Sequence, residues 1–326
     1  MKHISLLIPE GEISLSNIEA THKMFTKVNE ALERVGKPRL FDVHLVGRTR
    51  ERKSTNGLFT IQPELSIKDK FTTDLIIIPA VHGDMQDVVD INKDFCPWIV
   101  NQHAKGAEVV SLCIGAFILA STGLLNGKSC TTHWLAAEDF KRMFPDVTLL
   151  PYKIITDEGG IYSSGGAYSS LNLILYLVEK FAGRKMAVLS SKIFEIEIDR
   201  KSQSPFIIFH GQKEHEDEPI IKAQEFIEKN YQDKIAVDQL ASMFALSRRN
   251  FERRFKKATS NTVVEYIQRV KVEAAKVSLE SSRENVNEVM YNVGYSDPKA
   301  FRTVFSRLTG LSPLQYRNKY NREMAV

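Results

Sequence analysis

The last third of the chain repeats itself, and the repeat limits what this region can become. The stretch "VDQLASMFALSRRNFERRFKKATSNTVVEY" (237–266) aligns with "VNEVMYNVGYSDPKAFRTVFSRLTGLSPLQY" (286–316). Val237 matches Val286, Leu240 matches Val289 and Phe244 matches Val293. After one extra residue in the second copy, Phe251 matches Phe301, Phe255 matches Phe305, Thr259 matches Thr309 and Tyr266 matches Tyr316. Each copy reads as a short amphipathic helix, a tight turn and a second amphipathic helix. Gly294 supplies the turn in the second copy. Pro298 suits the first turn of the helix that follows, where a missing N–H breaks no hydrogen bond, and Ser296 or Asp297 can cap it. Two helix-turn-helix units are therefore expected, at about 237–259 and 286–309.

Helical spacing sorts the residues of each second helix. In the first copy Phe251, Phe255 and Ala258 share one face, and at about 100° per residue Arg249, Arg253, Lys256 and Lys257 fall opposite. In the second copy Phe301 and Phe305 face inward, Lys299, Thr303, Ser306 and Arg307 face outward, and Arg302 lies on the flank. Neither outward face is expected to carry an acidic residue. Guanidinium forks fit guanine edges and phosphates, while Thr and Ser fit phosphates or thymine methyls. Residues 219–326 hold 19 Lys/Arg against 12 Asp/Glu, a net +7, whereas the whole chain is +4, which leaves the remainder at −3. A charge of that size is common on ordinary surfaces and decides nothing alone. A helical bundle with a solvated basic face would account for it, but not for a duplicated motif with two cationic second helices. The pattern points to double-stranded DNA.

Residues 220–320 resemble the C-terminal domain of AraC/XylS-family transcription regulators, through "LASMFALSRRNFERRFKKATS" and "VGYSDPKAFRTVFSRLTGLSPLQYR". The resemblance implies two helix-turn-helix units joined by a long helix, here about 262–280, reading successive major-groove segments on one face of the duplex. It places base contacts at Arg249, Arg253, Lys299, Arg302 and Thr303, and Lys256 and Ser306 complete the expected interface. One departure is Ser260 where the second copy has Gly310, so a somewhat different helix exit is expected there.

The rest of the chain obeys another grammar. "HISLLI" (3–8), "FDVHLV" (41–46), "TDLIIIPA" (73–80) and "EVVSL" (108–112) are short apolar runs, separated by helical patterns near 16–36, 86–105, 115–125 and 134–143. Such alternation implies a parallel sheet covered on both faces. Hairpin-like pieces are expected at 56–67 and 152–166, and helices at 167–182 and about 184–195. The fold class expected is α/β, a flavodoxin-like parallel-sheet sandwich over 1–195, then a joint at 196–219 ending at Pro219, then an all-α domain with two helix-turn-helix motifs over 220–320. Apolar segments such as "LNLILYLV" (171–178) fall short of a membrane span. Three cysteines without ligand spacing argue against a disulfide scaffold or a zinc site. No metal, cofactor or membrane partner is expected, and a cytoplasmic location is.

"VVSLCIGAFILAS" (109–121) brings an apolar strand to Cys113 and passes at once into a helix, which is how a nucleophile is presented. With "GLLNGKSCTTHW" (123–134) and "SSGGAYSSLNLILYLVE" (163–179), this resembles the ThiJ/PfpI superfamily, related to class I glutamine amidotransferases. Together with the tail it is similar to GlxA-type regulators. The resemblance implies an acidic residue near the end of the first strand-to-helix loop, yet that place falls near Ser16. Ile114 follows the cysteine where relatives carry a hydroxyl residue or a histidine. His82 and His133 are candidate bases. The elbow therefore reads as catalytically degenerate, with no catalytic residue expected. A pocket lined by Ser16, Gly83, Cys113, Ile114 and His133 would hold a small-molecule effector, for which relatives suggest a nitrogen-containing metabolite. Amides at 114–116, with those of Gly83 and Gly166, suit a carboxylate or other small anion. A cysteine-dependent hydrolase or hydratase, or a redox sensor using Cys113, are the alternatives. The resemblance further implies a homodimer, and RNA polymerase as partner if the chain is an activator.

Overall fold

The computed structural model describes residues 1–321 apart from 52, 56–58 and 214. It forms two compact units, 1–203 and 204–326.

In the first unit, apolar strands build a sheet of seven strands among the described residues: β1 (Lys2–Ile8), β2 (Phe41–Gly47), β3 (Leu65–Ser66), β4 (Leu75–Ile78), β5 (Glu108–Ser111), β6 (Ile155–Asp157) and β7 (Ile161–Ser164). Their order is β6-β7-β5-β4-β1-β2-β3. All neighbours run parallel except β6 and β7, which form an antiparallel hairpin at one edge. Alternation along β1 sends Ile4, Leu6 and Ile8 to one face and Leu7 to the other, so the sheet feeds two separate cores. Helices α1 (Leu15–Arg34), α6 (Ser170–Ala182) and α7 (Arg184–Ile193) close the first core. Helices α2 (Met85–Ile91), α3 (Phe95–Ala104), α4 (Ala116–Ser121) and α5 (Ala137–Met143) cover the second. The order of the sheet reverses between β1 and β4, and in open α/β sheets the crevice at the carboxyl ends of the strands beside that point receives ligands.

Two local expectations need correction. The run 86–105 is not one helix: Asp84 caps α2, and the chain breaks at Asn92, whose amide ties the loop to Glu10. The piece 56–67 is not one hairpin. Phe59–Ile61 pairs back onto Lys53–Thr55, Leu65–Ser66 leaves to extend the main sheet beside β2, and 56–58 lie outside the described residues. Pro63 between them has no amide to donate to a ladder, so pairing stops there.

The segment 196–219 is divided between the units. Gln203 is tied into the first, accepting from Gly166 N at 3.1 Å and donating to Thr132 O at 2.9 Å. Ser204 begins the second. That unit is helical: α8 (Glu218–Lys229), α9 (Val237–Met243), α10 (Arg248–Thr259), α11 (Val263–Ser281), α12 (Val286–Asn292), α13 (Pro298–Thr309) and α14 (Pro313–Tyr320). It has one core per repeat. Phe251, Phe255 and Tyr266 anchor the first, and Phe301, Phe305 and Tyr316 the second. Each buried phenylalanine contributes about 1.5–3 kcal/mol by leaving water. Helix α11 serves both cores, giving Val263 and Tyr266 to one and Val272, Ala275 and Leu279 to the other.

Candidate functional site

The two copies agree down to ring geometry. Phe255 meets Tyr266 edge-on at 5.3 Å and Phe305 meets Tyr316 edge-on at 5.5 Å. Thr259 Oγ donates to Phe255 O, and Thr309 Oγ to Phe305 O, both at 2.8 Å. Ser247 caps α10 and Asp297 caps α13. The turns before these caps need a left-handed residue: Gly294 at φ +76 in the second copy and Ala245 at φ +54 in the first. The extra residue of the second copy is taken up between turn and cap.

With the phenylalanines turned inward, α10 and α13 expose their other faces. Arg249, Arg253 and Lys256 are exposed on α10, and Lys299, Arg302 and Thr303 on α13, while Ser306 is half-buried. Arg253 donates to Asn250 Oδ1 at 2.9 Å, which steadies its guanidinium without neutralising it. Arg307 is committed elsewhere, donating to Gln268 on α11 at 2.5 Å. The expectation of no acidic residue on the outward faces fails at Glu252. It is exposed next to Lys256, and Arg248, itself paired with Asp238, engages its carboxylate. Arg254 belongs to the scaffold, with two bonds to Asp217 just before α8. The exit at Ser260 is not different either. Ser260 takes the same left-handed cap (φ +55) as Gly310 (φ +75), and each cap amide returns to the fourth residue before it. Helical termination, not residue type, sets that geometry.

In the first unit the carboxyl ends of the strands are stitched together around Cys113. The residue has φ +56, a conformation that is costly for a side chain with a Cβ. Four hydrogen bonds hold it. Cys113 N donates to Ser164 Oγ at 3.1 Å, Thr132 Oγ donates to Cys113 O at 3.0 Å, and the amides of Ile114 and Ala167 donate to the thiol sulfur. Gly115 lets the turn press on β4, since a Cβ there would lie 2.6 Å from Ile78 O and Pro79 O. Burial raises the thiol pKa and outweighs the two amides that favour the thiolate. The turn is strained, and burial favours the neutral thiol.

His133 caps the turn after it, accepting from Leu135 N through Nδ1 at 3.1 Å, and its ring packs where a Cβ of Gly166 would be. Burial lowers its pKa, and His82 adds to this by repulsion. Thus Cys113, Ile114 and His133 are joined through the 166–167 turn. Ser16, exposed in the first turn of α1, and Gly83, exposed on the loop before α2, lie at the same end of the sheet, and the segments before them are linked by the pairing of Glu12–Ile13 with Val81–His82. Ser16 bonds to Ser14 at 3.0 Å. Asn17, which the sequence reading passed over, accepts from Ala80 N and donates to Ser170 Oγ, and so ties the start of α1 to the segment after β4 and to the start of α6. A separate cleft of about 530 Å³ opens at the other end of β5 and β7, among Glu108, Asp157, Tyr162 and Lys180. There Lys180 bonds both Glu108 and Tyr162, and burial pushes the Tyr162 hydroxyl up to about 12.

Comparison with known proteins follows this division. Residues 25–180 match the DJ-1/PfpI family and residues 240–319 match a helix-turn-helix domain. The chain joins a DJ-1/PfpI domain to an AraC-type helix-turn-helix domain. The HTH-type transcriptional regulator GbdR of Pseudomonas aeruginosa is 24% identical over 268 residues, 81% of this chain and 71% of its own length. Isonitrile hydratase of Pseudomonas putida is 24% identical over 165 residues, 50% of this chain and 68% of its own. A crystal structure from Vibrio parahaemolyticus shares the fold at TM-score 0.53 and 23% identity, covering 59% of this chain and 98% of that one. Among the described residues no group of His, Cys, Asp or Glu side chains is placed to hold a metal ion beside the DJ-1/PfpI elbow or elsewhere. No described helix is long and apolar enough to cross a membrane.

Proposed function

We propose that this chain is a sequence-specific, DNA-binding transcription regulator whose DJ-1/PfpI domain binds a small effector and does no chemistry. The DNA reading is carried by one observation: α10 and α13 are the same structural part used twice, each braced by a buried phenylalanine pair and each exposing cationic side chains. Arg249, Arg253 and Lys256 would enter one major-groove segment, with Lys299, Arg302, Thr303 and Ser306 in the next. Affinity for duplex DNA should fall steeply with salt, because each phosphate neutralised releases counterions. Affinity unmoved between low and moderate salt would remove this reading.

The effector reading rests on the strained Cys113 turn at the ligand-receiving end of the sheet, beside Ile114 and His133, with Ser16 at the start of α1 and Gly83 on the loop before α2 at the same end. The effector class remains a small nitrogen-containing metabolite, but the amides expected to meet a carboxylate are already engaged, Ile114 N with the Cys113 thiol, Gly115 N with Leu112 O and Gly166 N with Gln203. Iodoacetamide labelling of the full-length protein against pH tests the absence of catalysis. Labelling that rises only above about pH 8.5 agrees with a buried, unactivated thiol. Rapid labelling at neutral pH would revive a hydratase-like or redox role. A regulator of this kind works in the cytoplasm as a homodimer, and it would meet RNA polymerase if it activates. Switching requires that the effector bind the DNA-competent arrangement with different affinity, since tight binding alone shifts nothing.

A further inference from the structure

A built contact joins the two helix-turn-helix halves. Lys271, in the middle of α11, is buried, and its ammonium donates to Gly294 O in the turn of the second half at 3.0 Å. The same ammonium reaches Asp233 O, in the loop that leads into α9 of the first half, at 3.4 Å, and stands 5.5 Å from the centre of the Tyr295 ring. The loop presses close: a Cβ at Gly294 would lie 2.1 Å from Gln232 O and 2.5 Å from Lys271 Nζ. Tyr231, from that same loop, packs into the core of the second half. A buried ammonium shared between two backbone carbonyls is a strong, directional link.

Each half packs on its own stretch of α11, so the shared helix sets how far apart α10 and α13 stand. Their rotation about it is held by that packing and by direct contact between the halves. We infer that Lys271, clasping the Gly294 turn to the 231–233 loop, is a positioning residue that holds the two recognition helices in one phase and makes the protein selective for the spacing between the two DNA segments it reads. This rests on the DNA-binding reading above. Each base pair added between the segments rotates one against the other by roughly 34°, which a clasped pair cannot follow and an unclasped pair can.

The test uses duplexes that the full-length protein recovers from a random-sequence pool, then remade with one or two base pairs inserted or deleted between the contacted segments. The wild-type chain should lose about tenfold in affinity per change, the size of a mismatch penalty. Lys271→Met should bind the original duplex more weakly and lose only about threefold per change, a flattening that simple destabilisation does not produce. A folded Lys271→Met with the full spacing penalty overturns the inference and leaves DNA binding standing. If that variant does not fold, Tyr231→Leu loosens the same contact from the other side and is read the same way. Loss of folding in both makes the contact a folding requirement and overturns its role in alignment. Recovery of no duplex by the wild-type chain removes the DNA reading, and this inference with it.

Discussion

Tyr266 donates its hydroxyl to Glu228 at 2.7 Å, and Tyr316, its counterpart in the second half, donates to Glu280 at 2.5 Å. In each half the bond ties the helix after the recognition helix to the helix that opens the same half. Burial first, and then the neighbouring carboxylate, raises both tyrosine pKa values. A raised folded-state value means that this stabilisation is complete below the ordinary tyrosine range near 10 and is lost as pH climbs toward the folded value. The helical unit should therefore lose denaturant resistance above about pH 10, and Tyr266→Phe with Tyr316→Phe should flatten that decline. At neutral pH each substitution costs about 1 kcal/mol, because both carboxylates reach water. Urea titrations at a series of pH values check it, and a decline as steep in the double variant would refute it.

Arg253→Ala should weaken binding to the preferred duplex by about 1–3 kcal/mol and relax base preference at one position. Lys256→Ala should weaken binding to every sequence alike and lower the salt slope by about one. Quantitative gel shifts on matched and scrambled duplexes separate the two. Equal effects of both variants on both duplexes would mean that Arg253 reads only backbone.

Gly115 has an ordinary helical backbone, φ −57, so its substitution isolates steric crowding. Gly115→Ala should destabilise the first unit by about 1–3 kcal/mol, because the new methyl meets two backbone oxygens that cannot turn away. Gly36→Ala, left-handed but open to solvent, should cost about 1 kcal/mol through conformation alone. Thermal unfolding ranks them, and a harmless Gly115→Ala would mean that the elbow does not press on β4.

Ser260 holds a left-handed cap that glycine fills in the second half. Ser260→Gly should stabilise the helical unit by up to about 1 kcal/mol without changing duplex affinity. A destabilised variant would show that the serine side chain matters to the cap.

Much of this architecture was legible because it is periodic. Phe251 with Phe255 and Phe301 with Phe305 announce a buried face at helical spacing, and the unbroken apolar runs of β1, β4 and β5 announce a sheet covered on both sides. The elbow was legible because an apolar strand running into Cys113 and then a helix has few other uses. What escaped depended on partners far along the chain. Lys271 reads as one more polar residue on a helix, and only the approach of Gly294 and Asp233 makes it a clasp. Glu252 sits at the border of the outward face, one position from Phe251 and a turn from Lys256, where helical spacing alone does not separate inner from outer. Ala245 gave no sign of a left-handed turn, since alanine is a helix former and the turn is imposed by packing around it. The 56–67 piece failed because propensity marks extended chain without saying which strand it will join.

The sheet ends in very short strands on both sides, two residues at Leu65–Ser66 and three at Ile155–Asp157. Outer edges so brief offer little backbone to an incoming strand, so self-association by strand addition is blocked and runaway stacking with it. Two copies of this unit that come together must therefore meet through helix faces or loops, where side chains and not a ladder of amides choose the partner.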